Sequence, residues 1–156
     1  MIPTHAHSSL TLEGLWQFSL DYYAVNEVKE ACLCLQNQFQ GNVNLLLLLK
    51  WLDEQQLSIN DSEWPHLLAC LSHSESLVHS FRELRRKLKS HLSETLYREA
   101  LQFELRLEKQ QQAELIACVQ GFRLSPTKDL ALTERYCRQL GAEHLISLFS
   151  TSVKPT

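Results

Sequence analysis

"GNVNLLLLLKWL", residues Gly41 to Leu52, sets five consecutive leucines, Leu45 to Leu49, between two asparagines and a lysine–tryptophan pair. A helix needs about 20 mainly apolar residues to cross a bilayer. Here Asn44 and Lys50 bracket only the five leucines, and Asp53 and Glu54 follow directly. The run therefore does not span a membrane. Gly41 suits the left-handed position that ends many helices, and Asn42 is a preferred N-cap. The stretch thus reads as a short helix from Asn42 to about Gln55. Leucine on every side predicts a helix buried all round, at the centre of an N-terminal core.

Working outward, the helical period persists almost throughout. Thr11 is placed to cap a first helix with Leu12, Leu15, Trp16, Ser19 and Tyr23 on one face. Asn26 is expected to cap a second, with Val28, Cys32, Leu35 and Phe39 as its stripe. Downstream, "LSINDSEWP" reads as a loop that ends in a new start, with Asp61 or Ser62 as cap and Pro65 in the first turn. A long helix follows to about Ser90. Ser93 then caps another, from about Glu94 to Gln120, whose stripe holds Leu96, Ala100, Phe103 and Leu107. Gly121 ends it. Ser125-Pro126 is expected to open a further helix that Gly141 terminates, and a short one runs on to about Phe149. No alternating run argues for a strand.

These elements predict an all-α single domain over residues 11–150. Six or seven helices form a bundle in which three short N-terminal helices pack on a long antiparallel hairpin. Residues 1–10 and 151–156 are expected to be flexible ends. At 156 residues, with 44% hydrophobic and 21% charged side chains, the chain can bury a core without metals or disulfides. A net charge of −3 gives no reason to expect nucleic acid or an anionic membrane as partner. The N-terminal residues lack a basic region followed by an apolar stretch, so no signal peptide is expected. The five cysteines fall mostly within helical patterns, which suggests buried thiols in a cytoplasmic protein.

Chemistry-bearing patterns are sparse. Cys70 with His73, and Glu75 with His79, could each offer two ligands on one helix face. No Cys-x-x-Cys or His-Glu-x-x-His spacing occurs, so no metal or cofactor is expected. Neither a nucleophile elbow nor a glycine-rich phosphate loop is present, and no catalytic residue is assigned.

The strongest charge imbalance is "FRELRRKLK", Phe81 to Lys89, with five basic residues against one acid. Arg82, Arg85, Arg86 and Lys89 share a helical face, and Phe81, Leu84 and Leu88 share another. The basic face is either a site for an acidic partner or is spent on acids of the next helix. The pairs foreseen for that second case are Lys89 with Glu94 and Arg86 with Glu99. Six aromatic residues, Trp16, Phe18, Tyr22, Tyr23, Trp51 and Trp64, concentrate towards the N-terminus. They either fill the core or, through Trp16, Tyr23 and Trp51, wall a small pocket.

"LWQFSLDYY", "ACLCLQNQFQGNVNLLLLLKWL", "LRRKLK" and "LYREALQFEL" together resemble the blocks of a family of short proteobacterial proteins known only as a domain of unknown function. The resemblance runs from about Leu15 to about Leu115. It implies an all-helical, bacterial, cytoplasmic protein and brings no activity, substrate or cofactor. The resembling blocks keep polar residues in apolar surroundings: Ser19 and Tyr23, Gln36, and above all Asn44, which shares a face with Leu48 and Trp51. An unpaired buried amide costs about 1–3 kcal/mol, so Asn44 is expected to be bonded. Its partners would be either backbone at the turn before its helix or Gln36 and Tyr23. Two functions follow. The first is a non-enzymatic interaction module whose long hairpin, with the basic Arg82–Lys89 face, binds an acidic or helical protein partner or mediates self-association. The alternative is a helix-lined pocket that binds or acts on a small anionic metabolite, built from Tyr23, Gln36 and Asn44 together with the arginines.

Overall fold

Thr11 starts the first helix as expected, its hydroxyl accepting from the Gly14 amide at 3.0 Å. The computed structural model describes residues 10–129 and 131–150. Of the two ends expected to be flexible, residues 1–9 and 151–156 lie outside the described residues. Leu10, assigned to the first of them, is fully buried, and its carbonyl accepts from Gln120 Nε2 at 2.8 Å.

Three short helices come first: α1 (Leu12–Tyr23), α2 (Asn26–Gln38) and α3 (Val43–Glu54). A long hairpin follows, α4 (Trp64–Leu88) and α5 (Glu94–Gln120), then α6 (Leu132–Leu140) and a closing 3-10 segment, Glu143–Ser150. The fold is an all-α bundle. Among the described residues no helix is long and apolar enough to cross a membrane.

α3 is the axis of this arrangement. Leu45, Leu46, Leu48, Leu49 and Leu52 are wholly inaccessible, because α1, α2, α5 and α6 all pack against this one helix. Each buried leucine contributes about 1.5–3 kcal/mol, which makes the run the densest apolar contribution in the chain. Lys50 follows the leucines into the interior. Its ammonium reaches Glu54 at 3.2 Å and lies 5.9 Å from the centre of the Tyr22 ring. On α1 the tyrosine that enters the core is Tyr22, not Tyr23, and its hydroxyl donates to the Phe149 carbonyl at 2.9 Å.

Several local expectations are corrected. α2 starts at Asn26 itself, with Val25 at the N-cap and no side-chain cap bond. The left-handed residue after α2 is Gln40, with φ 59°, rather than Gly41. Gly41 is needed for another reason: an added Cβ would lie 2.6 Å from Leu35 Cγ and 2.8 Å from Leu140 Cδ1. Neither Asp61 nor Ser62 caps α4. They belong to a 3-10 turn, Asp61–Glu63, that runs straight into it.

Ser125-Pro126 opens no helix. It forms a two-residue strand, β2, antiparallel to β1 at Leu57–Ser58. Strands this short leave no alternation to detect, and the pairing joins the segments that precede and follow the hairpin, far apart in sequence and together at its open end. The cap for α6 is equally remote. Asp53, at the end of α3, accepts from the Leu132 and Thr133 amides at 3.0 Å each.

The cysteines also depart from the expectation of thiols throughout. Cys70 and Cys118 form a disulfide, while Cys32, Cys34 and Cys137 are free. The two bonded residues are 48 apart in sequence. They meet because the antiparallel hairpin brings the first turns of α4 back to the last turn of α5.

Candidate functional site

Polar residues from four helices converge on one cleft. Ser19 sits on the buried stripe of α1, where its hydroxyl satisfies itself by donating to the Leu15 carbonyl at 2.7 Å. Asn42 and Asn44 stand at the start of α3. Asn42 Oδ1 accepts from the Leu45 amide at 2.9 Å, the cap read from the sequence. α5 then crosses this end of α3 and presents Gln111 and Gln112, both almost completely buried.

The amides form a chain. Asn44 Nδ2 donates to Gln111 Oε1 at 2.9 Å, and Asn44 Oδ1 accepts from Gln112 Nε2 at 3.1 Å. Gln112 Nε2 also donates to Ser19 Oγ at 3.0 Å, and Gln111 Nε2 to Ser74 Oγ on α4 at 3.0 Å. Asn42 Nδ2 adds a bond to Gln111 Oε1 at 3.2 Å. Asn44 is therefore bonded, but to α5, and to neither of the partners foreseen. One acceptor in this group, Gln112 Oε1, is buried and has no partner among the described residues.

Above the amides lies a cleft of about 880 Å³ between the N-terminal helices and the hairpin. Trp16, Tyr23, Gln36 and Asn44 line it, as do Arg82, Arg85 and Arg86. Trp51 and Lys89 do not. Trp51 packs beside Gly14 and the core, and Lys89 lies over the Tyr97 ring at 6.0 Å. Thus the two groups of residues named from sequence, aromatic and amide on one side and basic on the other, face the same space. Lys109 lies 5.4 Å from the centre of the Trp16 ring.

The arginines are not free charges. Arg85 makes a two-pronged contact with Glu104, Nε to Oε1 at 2.7 Å and Nη2 to Oε2 at 3.2 Å, and its Nη1 donates to the Tyr97 hydroxyl. Arg82 reaches Glu108 at 3.2 Å and Glu104 at 3.6 Å. Hydrogen bonding to Glu104 holds the Arg85 guanidinium firmly protonated, above its usual value. Burial raises Glu108 above the ordinary carboxylate range, and the Arg82 charge only partly opposes this. Burial likewise raises the Tyr23 phenol.

Arg82 and Arg85 are thus spent on acids of the next helix, but in a different register from the pairs Lys89–Glu94 and Arg86–Glu99. Side chains lean towards their own helix N-terminus. In an antiparallel hairpin the arginine tips move away from the turn and the glutamate tips move towards it. The pairs that meet are therefore farther out along the hairpin. Arg86 pairs within its own helix, to Glu83 at 3.0 Å.

Gln111 and Gln112 escaped the sequence reading, although a signal for them existed. They stand four residues before Leu115 and Ile116, so the helical period puts them on the buried face of α5.

No curated protein and no solved structure matches the chain. A family model described as a protein of unknown function, DUF2390, matches residues 14–115. That span holds every lining residue of the cleft and both helices of the hairpin's outer half.

Proposed function

The chain belongs to the DUF2390 family of proteins of unknown function, and from that premise we propose a non-enzymatic self-association module. In this reading the α4–α5 hairpin docks on the hairpin of a second copy. The observation that carries it is an apolar face that the described residues leave uncovered. Leu77, Phe81, Leu84 and Leu88 on α4 recur at i, i+4, i+7 and i+11, and so do Leu96, Ala100, Phe103 and Leu107 on α5. The Phe81 and Phe103 rings, with centroids 5.1 Å apart, join the two stripes. Leu77, Leu84, Leu96 and Phe103 remain 61%, 48%, 52% and 46% exposed. From His79 to Phe103 no residue is buried.

Two helices cannot bury such a face between themselves, whereas two hairpins can do so as a four-helix bundle. A second copy suits the charges as well. Lys87 flanks the stripe on α4 and Glu99 flanks it on α5, so a two-fold arrangement that sets α4 against α5 joins opposite signs. Sedimentation of the wild type should give a dimer. Leu84→Glu combined with Phe103→Glu should give a monomer of unchanged helical content. A wild type that stays monomeric at tens of micromolar, or a double variant that stays dimeric, would sink this reading. Self-association replaces the exposed basic face as the basis for partner binding. We place the protein in the cytoplasm, where reductants keep accessible thiol pairs open.

A second reading rests on Gln112 Oε1, an unpartnered acceptor among the residues that line the cleft. The cleft would take a small polar molecule that offers an N–H or O–H donor. Because Glu104 and Glu108 already neutralise Arg82 and Arg85, a ligand with charges of both signs fits better than a simple anion. A thermal-shift series of zwitterions and matched anions tests this. A flat response removes the reading.

A further inference from the structure

His66 and Cys70 stand four residues apart in the first turns of α4, and so share a face. Cys118 approaches them from the last turn of α5. The imidazole nitrogen and the two sulfurs all lie within 4.8 Å of one another. His66 is exposed and the cysteines are half-buried, so ions and reductants can reach the group. A small cleft beside it is lined by Glu63, His66, Cys118 and Phe122. The His66 and Phe122 rings meet edge to face at 5.7 Å between centroids, which limits the swing of the imidazole.

A second observation points the same way. One oxygen of Glu63, Oε2, accepts from the Arg123 amide at 3.4 Å, while the other, Oε1, is buried without a partner. A buried carboxylate oxygen with no donor is a place for a cation or a proton. Two sulfurs and one imidazole, completed by a water, form a donor set suited to four-coordinate zinc, and the Glu63 carboxylate lines the same small cleft. The thiolates exclude magnesium and calcium, which take oxygen ligands.

We infer that His66, Cys70 and Cys118 form a redox-gated zinc site, with a water as the fourth ligand. The disulfide is the zinc-free, oxidised state. A dithiol reductant opens it: the Cys70–Cys118 sulfur–sulfur bond breaks and gains two electrons and two protons, while the reductant closes to its own disulfide. Zinc then replaces the two thiol protons, which pass to solvent, and the ion stays divalent throughout. A small disulfide reverses the sequence: it takes two electrons from the thiolates and two protons from solvent to become two thiols, the Cys70–Cys118 bond re-forms, and the divalent ion is expelled. Either state fastens the base of the hairpin, so the switch changes metal occupancy without freeing α4 from α5. The inference is independent of self-association at the opposite end of the hairpin.

The test uses the full chain and cobalt(II) as a spectroscopic stand-in. Protein reduced with a phosphine and then freed of it should bind one equivalent of cobalt. The complex should show a thiolate-to-metal absorption band and the intense visible bands of a tetrahedral site, both abolished by zinc. Protein reoxidised with a small disulfide should bind none. His66→Ala removes an exposed side chain, so its circular dichroism should match the wild type while its cobalt affinity falls by about tenfold or more. Reduced wild type that shows no thiolate band overturns the proposal. So does a His66→Ala variant with the same band and affinity.

Discussion

Gln112 Nε2 on α5 donates to Asn44 Oδ1 on α3 at 3.1 Å, at the largely buried floor of the cleft. This contact locks the hairpin to the central leucine helix, and its loss leaves a buried amide short of a bond. Asn44→Ala is expected to cost about 2 kcal/mol, read from urea denaturation. Combining it with Gln112→Met should cost clearly less than the sum of the two single changes, because no half-paired amide then remains. Strict additivity would show that the two side chains are not coupled.

Glu104 is the shared acceptor of Arg82 and Arg85 and is itself buried. Removing it strands two arginines in partly desolvated positions. Glu104→Ala should destabilise the fold by about 3 kcal/mol. Glu83→Ala breaks an exposed pair with Arg86 and should cost under about 1 kcal/mol. Chemical denaturation of the two variants side by side checks the ordering.

Glu108 provides a signature in pH. Burial raises its carboxyl above the ordinary value, so the folded chain holds this proton to higher pH than the unfolded chain does. The contribution of Glu108 to stability is therefore largest in acid. It falls as pH rises from the ordinary carboxylate value through the raised one, then levels off. Urea midpoints taken from pH 4 to pH 7 should show the wild type losing stability relative to Glu108→Gln as pH rises across that window. A constant difference over the whole range would contradict the assignment. Arg82, Arg85 and Glu104 are the charges that face this carboxyl.

Asp53 caps α6 from another helix through the Leu132 and Thr133 amides. Asp53→Ala should cost about 2 kcal/mol. Hydrogen exchange should quicken at the start of α6 more than within α3. Uniform quickening would argue against a capping role.

The glycines separate packing from backbone conformation. Gly41→Ala drives a methyl into Leu35 and Leu140 and should cost about 1–3 kcal/mol. The nearest atom to a methyl at Gly121 is the Cys118 carbonyl at 3.5 Å, and the backbone there, φ −87°, suits alanine. Gly121→Ala should be neutral or stabilising by up to about 1 kcal/mol. Thermal melts of both variants decide the point.

Whatever depends on neighbours three or four residues away was legible in the chain before any tertiary contact was known. Thr11, Asn42 and Ser93 cap the helices they were expected to cap. Gly141 adopts the left-handed conformation that ends α6, at φ 77°. The helical period of residues 94–120 foretold α5 as observed, and five leucines in a row foretold a helix buried on all sides. Tertiary structure alone decided which distant groups meet. The crossing of α5 over α3 chose Gln111 and Gln112 as partners of Asn44. The lean of side chains along an antiparallel pair set the arginine–glutamate register. The return of the hairpin brought Cys118 to Cys70 and His66, and put Asp53 beneath α6. A cap or a helical stripe is settled within one turn, whereas the register between two helices depends on how every side chain along their contact packs at once.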